Sequence, residues 1–253
     1  MWHYQKCQKC KYDESATAHT LFHEIKFPLH KAFLMLHQIT TLKKGISTLD
    51  LARQHALHQN TTWHFKRKVQ EAMSSSGKVM LKNSVEVDET VIGGYEKGKQ
   101  GRSHGKKDKV LVAVEIEYPE EGKKVKIKNA SAQLIDNYST KELSAAIDDM
   151  IDENAVVTTD GWRPYLKAVG ERIHVVLESA VLSNFEDLHW YIFNLKNWIR
   201  TIHQGVSSHH LKRYLNEFNF RFNNRNYAGD GFIKALNNMV NLVPLPRHMA
   251  IGE

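Results

Sequence analysis

The sequence predicts an α/β protein in which a mixed β-sheet flanked by helices follows a smaller all-α region. Three observations predict this architecture. The hydrophobic period is helical up to about Met73, it changes to a strand-type alternation after the short link from Ser74 to Gly77, and later apolar runs alternate with helical segments. A chain of 253 residues is long enough for one large core and one small appendage.

The N-terminal stretch, residues 1–14, contains both cysteines of the chain, Cys7 and Cys10, as a C-x-x-C pair. This pair is typical of one knuckle of a zinc ribbon, and the first knuckle would then lie upstream of Met1. A structural zinc site needs four ligands, and only two convincing ones are present. The stretch is therefore interpreted as a partial zinc-ribbon remnant, with two free thiols as the alternative.

Residues 15–76 are predicted to be helical. Apolar residues from Leu29 to Ile39 recur at helical spacing, within a pattern that starts near Thr20. Ser47 is followed three residues later by Asp50, which is a capping box that opens a short helix.

A second, longer helix is predicted from Thr61 to Met73, with Asn60 as its cap. Its apolar stripe leaves Lys66 and Arg67 outside, where they are predicted to contact DNA. A short helix, a tight turn and a longer basic helix form the helix-turn-helix arrangement that can enter a major groove. A plain helical bundle is the alternative.

The segment after Gly77 alternates strands and helices. Strands are predicted over Val85–Ile92, Val110–Ile116, Val125–Ile127, Ala155–Thr158 and His174–Leu177, and helices over Thr140–Ile151, Glu186–His203 and Ser207–Phe222. Three strands, a helix, a strand, a helix or loop, a strand and a helix is the order of a ribonuclease-H-like domain. Residues 226–253 are a tail for which no structure is predicted.

Two aspartates stand where a buried strand disfavours them. Asp88 lies inside the first strand of the sheet, and Asp160 ends the short apolar strand before Gly161. The first and fourth strands are neighbours in this fold order, so the two carboxylates can converge. Carboxylate oxygens suit hard divalent cations, which serve phosphodiester displacement in pairs. A simple turn role for Asp160 is the alternative.

A third ligand is expected from the helix that begins near Glu186. His189 and Lys196 lie along one border of its apolar stripe and Asn194 lies along the other. The pattern does not decide which of the two borders faces the metal. A surface imidazole is the alternative interpretation of His189.

A basic loop follows the Asp88 strand, between Lys97 and Lys109. It has no apolar residue, and its predicted DNA-contacting side chains are Lys97, Lys99, Arg102, Lys106 and Lys107. Together with a formal net charge of +7, this loop favours a polyanionic partner. A solvated hairpin is the alternative.

Several segments together resemble one family. They are YQKCQKC, GISTLDLARQ, TTWHFKRKVQEAM, EVDETVIGGYEKGKQGR, VVTTDGWRPY and HWYIFNLKNWIRTIHQGVSSHHLKRYLNEFNFRFNNR, and the last three blocks are specific in combination. Over nearly the whole chain these blocks are similar to insertion-sequence transposases with an ISXO2-like, DDE-type catalytic domain. The resemblance implies a ribonuclease-H-like fold that cuts DNA at the ends of a mobile element and joins the 3′ hydroxyl to a target with magnesium or manganese.

The resemblance also assigns residues. Asp88 matches the first catalytic Asp and Asp160 the second. Relatives carry an acid, Asn or His followed within two turns by Lys, and no acid follows Asp187 in that window. His189 is favoured as third residue, Asn194 is second, and Lys196 would meet DNA phosphate. Glu217 on the next helix is an outside candidate, with a surface ion pair as its alternative role.

The predicted organisation is therefore a zinc-ribbon remnant in residues 1–14, a helix-turn-helix in 15–76, a catalytic domain in 77–225 and a tail in 226–253. The expected partners are terminal inverted repeats, target DNA and at least one further copy of the chain. No segment predicts a membrane span, so a cytoplasmic, nucleoid-associated protein is expected. The rival functions are a decayed transposase that only binds DNA and a ribonuclease-H-like nuclease or resolvase.

Overall fold

The computed structural model describes residues 4–75, 79–94, 105–118, 125–178, 184–203, 206–226 and 228–245. The chain divides into two compact units, one comprising Met1–Ser76 with Asn224–Glu253 and the other comprising Gly77–Asn223. Among the helices of those described ranges, none has the length and apolar character needed to cross a membrane.

The first unit begins with a hairpin of two short strands, β1 (Tyr4–Lys6) and β2 (Asp13–Ser15), which pair antiparallel. Cys7 and Cys10 lie in its turn. The turn is closed by two backbone hydrogen bonds, in which the Cys7 N–H donates to the Tyr12 carbonyl at 2.8 Å and the Lys11 N–H donates to the Cys7 carbonyl at 2.9 Å.

Three helices follow, α1 (Leu29–Thr41), α2 (Thr48–His55) and α3 (Gln59–Ser74). The predicted start near Thr20 is wrong, because α1 begins directly after Pro28, which has no N–H to donate inside a helix. The Ser47 cap is confirmed, since its side chain accepts the Asp50 N–H. The predicted Asn60 cap is wrong, because the His58 ring caps α3 two residues earlier.

The second unit contains a five-stranded mixed sheet. Its strands are β3 (Ser84–Ile92), β4 (Asp108–Glu117), β5 (Lys126–Ile135), β6 (Val156–Thr159) and β7 (Ile173–Val176), in the spatial order β5-β4-β3-β6-β7. The β3–β4 and β4–β5 pairs are antiparallel, whereas β3–β6 and β6–β7 are parallel. The predicted mixed α/β sheet is confirmed.

Four helices cover the two faces of this sheet. They are α4 (Thr140–Met150), α5 (Arg163–Ala168), α6 (Glu186–His203) and α7 (Ser208–Asn223). One apolar cluster joins α4 and α5 to one face, around Val85, Val87 and Tyr165. Another cluster joins α6 and α7 to the opposite face, around Val112 and Leu188. Strand alternation therefore assigns Glu86 and Asp88 to the α6 face and Glu89 to the α5 face.

Helix α7 is held on β5 by side-chain amides that replace a neighbouring strand. Asn219 accepts the Ala132 N–H and donates to the Ala132 carbonyl, both at 3.0 Å. Asn223 makes the same pair of bonds with Ala130 at 2.8 and 2.9 Å. The Tyr191 hydroxyl of α6 also donates to Asn219, at 2.8 Å, so this amide ties both helices to the sheet. The unpaired edge of β5 is thereby covered.

The chain ends in a further helix of the first unit, α8 (Ala228–Asn241). Its Ala235 and Met239 are buried. The Met239 carbonyl accepts the Leu21 N–H at 2.9 Å, and the Asn238 amide donates to the Ala72 carbonyl at 2.8 Å. The tail for which no structure was predicted therefore contains a helix that packs into the N-terminal unit.

Candidate active site

The sheet register brings Asp88 and Asp160 to the same level. Strands β3 and β6 are parallel, and their last printed partners are Glu86 and Thr158. Continuing the same offset by two residues sets Asp160 opposite Asp88, on strands that lie about 4.8 Å apart where they are paired. Both aspartates are half-buried. Asp88 faces α6, and Asp160 is the first residue after β6.

Asp88 lies next to the first turns of α6. Its Oδ1 accepts the Glu89 N–H at 2.8 Å, and its Oδ2 lies 3.7 Å from the Nε2 of His189. The His189 side chain is about half exposed, at 53%. The structure therefore brings the favoured third residue to the first aspartate.

Asp160 is oriented by the turn that follows β6. Its Oδ1 accepts the Trp162 N–H at 3.0 Å. Gly161 adopts φ +74°, a left-handed conformation that favours glycine. A Cβ on Gly161 would stand 2.5 Å from the Cγ1 of Val176, so the adjacent strand also excludes a side chain here. The D-G pair is thus fixed both by its backbone conformation and by its packing.

Tyr165 is a buried residue of the site that the sequence did not single out. Its hydroxyl donates to the Oε2 of Glu89 at 2.5 Å. Burial raises the pKa of Tyr165, and the charges of Glu89, Asp88 and Asp160 raise that pKa further. The phenol therefore lies within electrostatic reach of both aspartates, and it ties α5 to the strand that carries Asp88.

Glu86 lies two residues before Asp88 on the same face of the sheet. Burial raises its pKa to about 7, and the charge of Asp187 contributes to the rise. The Leu188 N–H donates to Glu86, which opposes that rise. Burial also raises the pKa of Asp187. Glu86 therefore ties the first turn of α6 to β3, directly beneath the two aspartates.

Lys196 lies two turns after His189 on the same side of α6. Burial lowers the pKa of Lys196, and the charge of Lys107 lowers it further, while Asp88 raises it. The charges of Lys107 and Asp88 therefore both act on the Lys196 ammonium group. Asn194 lies on the other side of the helix, where its amide donates to the Trp190 carbonyl at 2.8 Å. Of the two candidates for the third position, the structure brings His189 and not Asn194 to Asp88.

The predicted exposure of Lys66 and Arg67 is wrong. Both side chains are buried. Lys66 donates to the Ile46 carbonyl at 2.9 Å, while Arg67 donates to Gln70 at 2.8 Å and lies over the Trp63 ring. Both cations are therefore engaged inside the helical unit rather than on an outward-facing surface.

The other predicted residues fall into three groups. Lys97, Lys99 and Arg102 lie outside the described residues, whereas Lys106 and Lys107 lie just before β4. Glu217 is buried at 1% exposure, so a surface ion pair is wrong for it.

Cys7 and Cys10 are exposed free thiols. Hydrogen bonds from Cys10 and from the Lys9 backbone lower the pKa of Cys7. A lower pKa favours the thiolate, which is the form that binds metal.

Asp88 and Asp160 are the candidate ligands of a divalent metal ion. Within the described ranges, no group of three or more His, Cys, Asp or Glu side chains is arranged to hold a metal ion. Asp88 and Asp160 nevertheless fit magnesium or manganese, because they are half-buried oxygen donors, one inside β3 and the other directly after the neighbouring strand β6. Magnesium is commonly bound through one or two carboxylates together with substrate phosphates rather than by a complete protein cage.

This arrangement defines the class of protein. A five-stranded mixed sheet flanked by helices, with one aspartate inside β3 and another directly after the neighbouring parallel strand β6, is compatible with a ribonuclease-H-like transposase domain. The sequence profile described as the ISXO2-like transposase domain matches residues 80–223, and the chain belongs to this family of insertion-sequence transposases. A search of curated proteins found no match.

Proposed function

We propose that this chain is a metal-dependent DNA transposase that cleaves the ends of an insertion sequence and transfers the 3′ hydroxyl into target DNA. The observation that supports the proposal is that β3, which carries Asp88, pairs in parallel with β6, which ends directly before Asp160, while His189 lies 3.7 Å from Asp88. Asp88 and Asp160 would hold magnesium or manganese, and the bound metal would supply the Lewis acidity that phosphodiester displacement requires.

The chain's own residues bind and orient the DNA at this edge. The charges of Lys107 and Asp88 both act on Lys196, and two lysine cations near each other suit a phosphate that carries the scissile bond. His189 holds the third position next to Asp88. Tyr165 and Glu86 position the strand and the helix that carry these groups. No covalent protein intermediate is required for displacement at phosphorus.

DNA recognition is assigned to the first unit and to the basic loop. In this proposal α2 and α3 form the helix-turn-helix that holds terminal inverted repeats, and the loop that includes Lys97, Lys99, Arg102 and Lys106 follows the DNA backbone. At least two copies of the chain act together, because two element ends are joined. We propose that the protein acts in the cytoplasm in association with the nucleoid, and that Cys7 and Cys10 belong to a partial zinc site.

A strand-transfer assay tests the proposal. The substrate is the DNA that encodes the chain together with its flanking sequences, incubated with magnesium or manganese. Asp88→Ala and Asp160→Ala should each abolish cutting and joining, because each removes one of two carboxylates. Asp136→Ala, which removes an exposed acid after β5, is the matched control and should retain activity. Cutting that persists in both active-site variants would exclude this site.

A second comparison tests the third position. His189→Ala should lower the cleavage rate by about 10- to 100-fold, the cost typical of losing a group that supports a metal site. Asn194→Ala should remain close to wild type, because its side chain faces Trp190. The reverse order of effects would assign the third position to Asn194.

A second candidate function is a decayed transposase that binds DNA without cutting it. The observation in its favour is that, among the described residues, no three His, Cys, Asp or Glu side chains are grouped so that they could hold a metal ion. Wild-type protein that binds the flanking DNA but gives no product with either metal would support this alternative.

A further inference from the structure

Helix α6 carries one exposed stripe of side chains. Its first member, His189, lies next to Asp88 of β3. His189, Phe193, Lys196 and Arg200 follow each other at intervals of four, three and four residues. At 100° per residue these positions fall within about 60° of the helix surface. All four side chains are exposed. The stripe therefore forms one surface about 16 Å long, which is the length of several stacked nucleotides.

The charges on this stripe suit a nucleic acid. Lys196 and Arg200 are cationic, and the Lys107 charge reaches Lys196 from the neighbouring segment. The two acids of α6 are confined to its first two residues, Glu186 and Asp187, at the end where a metal would neutralise charge. From Leu188 to the end of the helix the sequence has no acid. A strand of phosphates laid along the helix would meet only neutral or positive side chains.

Phe193 is the unusual member of the stripe. It is 63% exposed and lies one turn after His189 and one turn before Lys196. A phenyl ring between phosphate-binding groups gains nothing from a DNA backbone. The faces of bases inside a paired duplex are already stacked, whereas an unpaired base offers its face to an aromatic ring.

We infer that Phe193 stacks on an unpaired base next to the scissile phosphate, while Lys196 and Arg200 bind phosphates of the same strand. The inference rests on the proposed function, since it places the DNA end at Asp88. Its substrate class is DNA with frayed or single-stranded nucleotides at the cleavage site, rather than fully paired duplex.

Binding to two matched DNAs tests the inference. One probe is a labelled duplex in which a few terminal pairs are replaced by mismatches to make a fork, and the other is the fully paired duplex of the same length. Dissociation constants are measured by fluorescence anisotropy in calcium buffer, because calcium also takes oxygen ligands. The full-length variants are Phe193→Ala and Phe193→Trp.

The matched control is Tyr118→Ala. Tyr118 is 66% exposed and follows the last residue of β4, Glu117. Asp88 pairs with Val112 on that strand, so Tyr118 lies about 20 Å along the strand from the level of Asp88. Circular dichroism melting of each variant verifies that the fold is retained.

The inference expects wild type to bind the fork more tightly than the duplex. Phe193→Ala should weaken fork binding by about 5- to 150-fold, the range for one base stacked on an aromatic ring, and should leave duplex binding unchanged. Phe193→Trp and Tyr118→Ala should both keep the fork preference. A fork preference that survives Phe193→Ala, or that wild type lacks, would overturn the inference.

Two further outcomes separate the inference from its rivals. If Phe193→Ala retains wild-type DNA binding but changes the oligomeric state in sedimentation, the stripe is an interface between copies of the chain and the inference fails. If wild type shows the Phe193-dependent fork preference but never cuts DNA, the stacking role stands and the proposed cleavage fails.

Discussion

Replacing Glu86 with Gln should stabilise the metal-free protein above neutral pH. The buried carboxyl of Glu86 has its pKa raised from 4.5 to about 7, chiefly by burial and then by Asp187. In the folded state Glu86 therefore holds a proton that the unfolded chain has already released between these two pH values. Stability consequently falls as pH rises through that window, and it stays lower above it.

The size of the effect follows from the same rise in pKa. A change from 4.5 to about 7 sets an upper limit of about 3 kcal/mol on the loss in free energy of unfolding, and solvent screening of the partly exposed carboxyl reduces the expected loss to about 1 to 2 kcal/mol. Gln is a neutral isostere of the protonated side chain and can still accept the Leu188 N–H, so Glu86→Gln should recover most of this loss. For a chain of this size the expected gain in melting temperature at pH 8.5 is roughly 2 to 8 °C.

The assay is thermal and urea unfolding at several pH values in the presence of EDTA, so that bound magnesium does not shift the balance. Glu153→Gln removes the same charge from an exposed site before β6 and is the matched control. Near pH 4.5, Glu86→Gln and wild type should have the same stability, and the two should separate as pH rises. A constant difference at every pH, or a less stable Gln variant at pH 8.5, would refute the assigned burial of Glu86.

Three other substitutions probe how the site is built. Tyr165→Phe leaves the carboxylate of Glu89 without its buried donor and should lower the free energy of unfolding in urea by about 1 to 3 kcal/mol. An unchanged urea midpoint would show that this hydrogen bond does not persist in solution. Gly161→Ala should destabilise the protein by about 1 to 3 kcal/mol and weaken cleavage, because the alanine would have to adopt a left-handed backbone conformation and its Cβ would lie 2.5 Å from Val176. A variant as stable and active as wild type would contradict this geometry. Asn219→Ala removes three hydrogen bonds that join α6 and α7 to β5 and should lower the free energy of unfolding by about 2 to 4 kcal/mol. Hydrogen exchange should show faster opening of β5 in this variant. Protection of β5 equal to that of wild type would refute the bridging role of Asn219.

Most of the sheet could be predicted from the sequence because alternation is a local signal. The strand around Asp88 and helix α6 were both predicted within a residue of their bounds. At the position of α5 the sequence predicted only a helix or loop, because α5 has six residues and no repeated apolar period. Helix α8 was missed because Gly229 and Gly231 fall in its first turn, where they lower helix propensity.

The candidate site was predictable only in part. Asp88 and Asp160 could be found because each is a carboxylate in an otherwise apolar strand. The partners of Glu86 and Tyr165 depend on how α6 and α5 pack on the sheet, and no spacing in the sequence reports that packing. The error at Lys66 has a similar cause, since a long side chain can bring its amine to a backbone carbonyl while its stem is buried.

The return of α8 to the first unit sets an order of events during synthesis. Ala235 and Met239 belong to the core of that unit, yet they leave the ribosome about 160 residues after α3. At common translation rates this delay is roughly 8 to 30 s. The whole sheet has emerged by then, so the helical unit is the last part of the molecule to complete its core. A nascent chain that is released early would carry an intact sheet but would lack the helix that closes the N-terminal unit.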